Sequence, residues 1–347
     1  MLFVSLRDLQ WRRRRFLIGV LAAGLVFALT VIMSGVSASF HNEIRRAVGA
    51  FHVDQWVVPN SVSGPFTSTQ VFPESEASKV SALPGVTHAE PVALFRSTVT
   101  TDKVNDINLI GIVPNGIAQP TIVDGHGVRT RGDLVTDRSL GLALGRRVTL
   151  AGHEFTVVGH TKGITYFAGT PAAFVTIADL QASALDGAPL ATAIVVDGTL
   201  SAPPPGFHVL SNPRVEADLG RPMRHATQTI SFITVLLWIV AAGIIGSVLY
   251  LQAIERSRDF AVFKATGVTT RTLLSGLAFQ AVVLALCSAI AATLLAFAIK
   301  PLMSMSVEVP RSAYVALPLV AIVIGLVASL VALRRAVTVD PALAFGG

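Results

Sequence analysis

Hydrophobic and polar positions fall along this chain in two patterns. Four runs, Phe16–Val36, Ile230–Leu251, Leu273–Ile299 and Ala313–Leu333, are mostly apolar and contain no Asp, Glu, Lys or Arg. Each is long enough for a helix to cross a bilayer, which takes about 20 residues. The segment 37–229 between the first two has the mixed composition of a soluble domain. The pattern predicts a membrane protein with four transmembrane α-helices, at 16–36, 230–251, 273–299 and 313–333. An α+β domain at 37–229 is inserted between helices 1 and 2. The rest is a basic N-terminal segment (1–15), a connector (252–272), a short loop (300–312) and a tail (334–347).

Inside the inserted domain the period changes from one stretch to the next. "FHVDQWVVP" (51–59), "DINLIGIVP" (106–114) and "ATAIVVDG" (191–198) are rich in β-branched and aromatic residues and predict strands. "PESEASKVSAL" (73–83) predicts a helix, with Pro73 and acidic residues in its first turn and Pro84-Gly85 stopping it. "LGLALGRRVTLAGHEFTVVGH" (140–160) predicts a short helix followed by a hairpin turning at Ala151-Gly152-His153. Residues 177–185 predict another short helix, 201–206 a loop, and 214–229 a helix leading into the second span.

Composition supports the membrane reading. Of 347 residues 52% are hydrophobic and 14% charged, against about 25% charged in ordinary globular domains. Charge also orients the chain. The three short segments 1–15, 252–272 and 334–347 hold eleven basic and four acidic residues, whereas 37–229 holds 14 basic and 16 acidic. By the positive-inside rule the three basic segments face the cytoplasm. Both termini then lie in the cytoplasm of a cell-membrane protein, and the domain and the 300–312 loop lie outside. "RRRRFLIGV" (12–20) also resembles a twin-arginine export signal, with Ser37-Ala38-Ser39 as a cleavage site. The apolar run is longer than the roughly 7–15 residues of a signal core, and "SASFHNEIRRAVGAF" (37–51) has the helical character to continue the first span.

The search for chemistry excludes more than it finds. All eight histidines lie between His41 and His225, but no pair has i, i+4 helical spacing and no Cys or carboxylate cluster joins them. No metal site is expected. The single cysteine, Cys287, cannot form an intramolecular disulfide. Neither a Gly-x-Ser-x-Gly turn nor a phosphate-binding Gly-x-x-x-x-Gly-Lys-Ser/Thr loop occurs, so no enzymatic activity and no ATP site are expected in this chain. No charged cluster or aromatic cage in the domain can be assigned to a ligand.

In the second span, Ala242 and Gly246, and likewise Gly243 and Ser247, are four residues apart, a spacing that lets helices approach closely. They are a candidate dimer seam, or else packing within the chain. Gln280, Ser288 and Thr293 in the third span are polar and uncharged, as expected of side chains bonded to neighbouring helices or backbone.

The connector is the most unusual stretch. As a helix it pairs Glu255 with Arg258 and Arg256 with Asp259 at i, i+3. Phe260, Val262 and Phe263 then bring apolar side chains into a cytoplasmic segment. Lys264 falls in the last turn, Gly267 suits the position just past the helix end, and Thr269 or Thr270 caps the third span. Two readings remain, a solvated connector or a helix that docks on a partner.

"LQAIERSRDFAVFKATGVTTRTLLSGLAFQAVV" resembles the signature segment of the FtsX/MacB-type ABC transporter permeases, on Glu255, Arg256, Arg258, Asp259, Lys264, Ala265 and Gly267. Gln280 departs from the Glu that many members carry. "RRAVTVDPALAFGG" resembles the family's C-terminal end, and the layout of a large insert after span one matches as well. The DevC-like members look most similar. The resemblance implies a permease subunit working with a separate ATP-binding subunit, ATP and Mg being bound there, and with a second permease copy. Glu255, Arg256, Arg258, Asp259, Phe260, Phe263, Lys264 and Gly267 would then form the ATPase-coupling helix. Export or extraction of a substrate at the outer face is the expected function. The alternatives are a mechanotransmitter that regulates a cell-wall hydrolase, a solute importer, or an ATPase-independent sensor. An extracytoplasmic adaptor or hydrolase is a candidate further partner, and nucleic acid is not one.

Overall fold

The computed structural model describes residues 13–100, 104–255, 262, 266–299, 309 and 311–337. They divide into two compact units, one of Phe40–His225 and the other of the helical residues up to Ser39 and from Ala226 onwards. Among the described residues, the first element is a helix, α1 (Arg13–Gly49). β1 (Gln55–Pro59), β2 (Phe72–Pro73), α2 (Glu76–Ser81), β3 (Val86–Thr100), β4 (Val104–Ile112), β5 (Asp124–Gly125), β6 (Asp133–Asp137), β7 (Arg147–Leu150), β8 (His153–Thr161) and β9 (Thr165–Tyr166) follow. Then come β10 (Thr170–Thr176), α3 (Ile177–Ala184), β11 (Leu190–Ala191), β12 (Ala193–Gly198), β13 (Phe207–Ser211) and α4 (Asn212–Leu219). Three long helices complete the chain: α5 (Arg224–Glu255), α6 (Thr270–Ile299) and α7 (Arg311–Val337).

The predicted architecture is present. α1, α5, α6 and α7 are each long and apolar enough to cross a membrane, and a mixed α/β domain lies between the first two in sequence. α1 has 37 residues, so it runs about 55 Å at 1.5 Å per residue, well beyond the roughly 30 Å of a bilayer's hydrocarbon core. Ser37, Ala38 and Ser39 lie inside it, and the Ser39 hydroxyl donates back to the Gly35 carbonyl at 2.9 Å.

Eleven strands of the domain form a mixed sheet in the order β13-β1-β12-β3-β4-β10-β6-β8-β5, with β7 pairing β3 and β8 and β9 pairing β10. β10 runs parallel to β4 and β6 parallel to β8, while the other pairs are antiparallel. Two apolar layers sandwich this sheet. One gathers Trp56, Ile110, Phe174 and Val195 with Ala47, Val48 and Phe51 from the end of α1 and the turn after it. The other gathers Leu109, Leu134, Val175 and Ile194 beneath α3. α3 comes so close to β4 that a Cβ added to Gly111 would lie 2.9 Å from Leu180 Cβ and 3.0 Å from Ile177 Cα.

The β7–β8 hairpin turns at Ala151 (φ +46°) and Gly152 (φ +83°), the paired left-handed conformations that suit the twist of a two-residue hairpin. α3 is capped by Thr176, whose hydroxyl accepts from the Asp179 N–H at 3.0 Å. Some expectations shift. The helix expected from 140 is a single 3-10 turn at Arg138–Leu140, ended by Gly141 at φ +71°. The helix expected over 214–229 breaks between Leu219 and Arg224, at Pro222, which cannot donate an N–H to a continuing helix.

In the helical unit the apolar core is mostly alanine with a few larger side chains: Ala23, Phe27, Ala28, Ala241, Ile245, Ala281, Leu284, Ala285, Ala292, Ala321 and Ala328 among them. Backbones meet at glycines. A Cβ added to Gly24 would lie 3.2 Å from Ala291 Cβ, and one added to Gly325 would lie 2.9 Å from the Ala281 carbonyl oxygen. Ser288 and Thr293 donate to Leu284 and Ala289 carbonyls of their own helix, at 2.8 and 2.9 Å. Gln280 is buried.

Candidate functional site

Of the proposed coupling residues, Glu255 is the last residue of α5. Arg256, Arg258, Asp259, Phe260, Phe263 and Lys264 lie outside the described residues. On the far side, the Thr266 N–H donates to the Val262 carbonyl at 3.0 Å, an i→i−4 bond of the helical kind. Gly267 follows at φ +89°, the left-handed conformation that closes a helix without a Cβ penalty. The Thr269 hydroxyl then accepts from the Thr272 N–H at 3.4 Å and caps α6. Val262, one of the three apolar residues singled out in this connector, is 48% exposed among the described residues.

The two small-residue pairs of α5 separate. Gly246 is buried and its nearest neighbours are atoms of Ala328 on α7, with Ala242 partly buried a turn earlier. Gly243 and Ser247 are exposed, and a Cβ on Gly243 would meet nothing within 4 Å. Ala242 and Gly246 therefore pack inside the chain. Gly243 and Ser247 belong to an exposed stripe with Phe232, Leu236, Ile239, Val240 and Tyr250.

Sequence reading missed a cleft in the α/β domain. β3 and β4 set Leu94 opposite Ile110 and Arg96 opposite Asn108, and directly opposed residues share a face of the sheet. The 60–71 loop adds Phe66, and β9 with the turn after it adds Tyr166 and Phe167. Together they line a cleft of about 380 Å³. Phe66 packs on Tyr166 with ring centroids 5.3 Å apart, and the Arg96 guanidinium lies 4.3 Å from the centre of the Phe167 ring. Burial pushes the Tyr166 phenol well above its usual range, so it stays protonated, and its hydroxyl has no hydrogen-bond partner. Phe66, Arg96 and Tyr166 come from three distant segments, and no spacing in the sequence announces that they meet.

One wall of this cleft is tied to α1. Phe167, Ala168 and Gly169 are consecutive left-handed residues, at φ +51°, +69° and +99°. Glu43, on α1 and only 9% exposed, accepts the Gly169 N–H at 2.7 Å and the Ala168 N–H at 3.2 Å, one on each carboxylate oxygen. Beyond the helix end, Phe51 packs edge-on against Trp56, and Trp56 against Phe66, with centroids 4.8 and 5.7 Å apart. Among the described residues no group of three or more His, Cys, Asp or Glu is placed to hold a metal ion.

Comparison with known proteins accounts for the whole chain. Residues 17–202 match the family described as MacB-like periplasmic core domain, and residues 231–341 match the FtsX-like permease C-terminal family. An uncharacterized ABC transporter permease of Mycobacterium tuberculosis is 42% identical over 348 residues, spanning 100% of both chains. A second from the same organism is 40% identical over 348 residues, again spanning 100% of both. Among solved structures, the periplasmic region of MacB from Actinobacillus actinomycetemcomitans aligns with 49% of this chain and 94% of its own, at 12% identity and a TM-score of 0.39. With both family matches falling on the layout of four long apolar helices and an inserted α/β domain, this multi-pass membrane chain belongs to the FtsX/MacB-like ABC transporter permeases.

Proposed function

We propose that this permease couples ATP hydrolysis in a separate ATPase subunit to movement of its α/β domain, and that the movement exports or extracts a substrate at the outer face of the membrane. Permeases of this family normally have no catalytic activity, and ATP with its Mg²⁺ belongs to the partner. The basic segments 1–15, 252–272 and 334–347 face the cytoplasm in this reading, and the domain faces outward.

The observation that carries the proposal is the continuity of α1. It is one helix from Arg13 to Gly49, and Ala47 and Val48 near its end are fully buried in the domain's core. In this reading a continuous helix that starts beside a basic segment and ends inside a packed core carries displacement without needing a solute path. The connector supplies the input. Glu255, Arg256, Arg258, Asp259 and Lys264 give it charge complementary to a polar partner surface, and Phe260, Val262 and Phe263 give it apolar anchors. Gly267 and the Thr269 cap set its end against α6.

The test is co-purification with the ATPase. Arg256→Glu combined with Phe263→Ala is expected to abolish recovery of the ATPase while the permease still inserts in the membrane. Normal recovery would overturn the docking assignment. A second copy of the permease would pack on the exposed α5 stripe around Gly243 and Ser247.

A second reading is favoured by the spans themselves. They carry no charged residue in the sequence, whereas ion and proton pathways use ionisable groups. In this reading the domain works on an extracytoplasmic partner such as a cell-wall hydrolase and moves no solute. Substrate movement in vesicles reconstituted with permease and ATPase separates the two.

A further inference from the structure

The coupling reading leaves the cleft over β3 and β4 without a role. We propose that it is a binding site for a small amphipathic anion, a single aromatic or short acyl body carrying one carboxylate or similar group. The body would lie against Leu94, Ile110, Phe66 and Phe167, and the anionic end would meet Arg96.

Three observations converge on that chemistry. At about 380 Å³ the cleft falls at the low end of the roughly 300–1,000 Å³ typical of small-molecule pockets, with apolar walls beside the polar side chains of Thr67, Ser68, Thr69, Arg96 and Asn108. It has room for one ring system or a short chain, and not for a two-chain lipid. Arg96 is exposed at its edge, oriented over the Phe167 ring, and forms no ion pair with any carboxylate among the described residues. Asp106, one cross-strand pair further along the same face, sits opposite Thr98. Finally, Tyr166 lines the cleft with a buried hydroxyl that has no partner, and an unpaired buried hydroxyl is costly. A ligand oxygen within reach would accept a hydrogen bond from it. Phe167 begins the turn that Glu43 of α1 holds, so an occupant of the cleft rests against a segment fastened to the first helix.

The experiment uses the full-length permease in lipid nanodiscs, without its ATPase, so that its outcome is independent of the coupling proposal. The probes are 2-naphthoate and its uncharged counterpart 2-naphthalenemethanol, titrated by calorimetry against loaded and empty nanodiscs. Saturable binding of 2-naphthoate above the empty-disc signal is expected. Arg96→Gln should weaken it by about tenfold or more, as loss of a charge-assisted hydrogen bond does, and leave the alcohol's affinity unchanged. Thr69→Trp, at the exposed rim, should remove binding of both probes. Unchanged circular dichroism and melting would show that both variants fold. Binding no greater than to empty discs overturns the proposal, as does naphthoate binding that survives either substitution.

Discussion

Glu43 offers the sharpest test of how α1 is fastened to the domain. Its two carboxylate oxygens each hold one amide of a turn in which two non-glycine residues, Phe167 and Ala168, have positive φ. That conformation costs about 1–2 kcal/mol per non-glycine residue. Hydrogen bonds to a charged group contribute about 1.5–3 kcal/mol each and offset the cost. Glu43→Gln keeps the size of the side chain but replaces one acceptor with an NH₂, which must face one of the two N–H groups. The expected loss is about 2 kcal/mol, the middle of the range for one unsatisfied buried donor. Local opening of the turn should then be about 30-fold more frequent, since 1.4 kcal/mol corresponds to tenfold. Hydrogen exchange of the full-length permease, followed by mass spectrometry on peptides covering 165–172, reads this opening directly. Peptides from β12, on the far side of β3, serve as the control and should not change. If exchange over 165–172 in the Gln variant stays within about twofold of the native rate, less than 0.5 kcal/mol, the carboxylate does not hold the turn and the link from α1 to the cleft wall falls.

Two further outcomes follow from side chains in each unit. Glu90 accepts the Ile117 N–H at 2.9 Å, yet burial raises its pKa above the usual glutamate value, outweighing that bond and the one from Ala118. The folded domain therefore binds this proton more tightly than the unfolded chain, and the stability it adds is present at low pH and lost as pH rises through the folded value. Between about pH 4 and 8 the wild type should lose melting stability relative to Glu90→Gln as pH rises, since Gln keeps the neutral form throughout, and parallel melting curves would refute it. In the bundle, Gly325→Leu should lower thermal stability in detergent, because even a Cβ there would sit 2.9 Å from the Ala281 carbonyl oxygen, whereas Gly243→Leu should not, because nothing lies within 4 Å. Gly243→Leu should instead reduce cross-linking between copies if the exposed α5 stripe is their contact, and equal melting of the two variants would refute the assignment of faces.

The bundle and the domain differed in how readily the sequence could be read. Charge-free runs as long as a bilayer is thick suit little besides a membrane span, so all four long helices were visible. The β7–β8 hairpin and the Thr176 cap were visible too, because both depend on residues adjacent in sequence. β3 was not, since His88, Glu90 and Pro91 interrupt any alternation. The strand tolerates Pro91 because at that point its only strand neighbour is β12, the pairing with β4 beginning at Ala93. The parallel pairing of β4 with β10 joins segments far apart in the chain and leaves no local trace. The cleft was hidden for the same reason, its aromatic residues coming from segments far apart in the chain. For the α5 pairs, spacing alone gave two candidate seams, and only burial showed that one faces Ala328 and the other faces outward.

The polar side chains of the spans bear on what kind of motion this chain supports. Thr30, Thr234, Ser288 and Thr293 each donate to a carbonyl four residues earlier in their own helix. Their polar groups are thus satisfied without bonding another helix. Among the described residues, backbones approach closely at Gly24, Gly246 and Gly325 against alanines, van der Waals contacts without directional bonds. Sliding such a contact breaks no hydrogen bond and exposes no charge to lipid. The end of α1 is different: it is locked by Ala47, Val48 and Phe51 in an apolar core and by Glu43 on two amides.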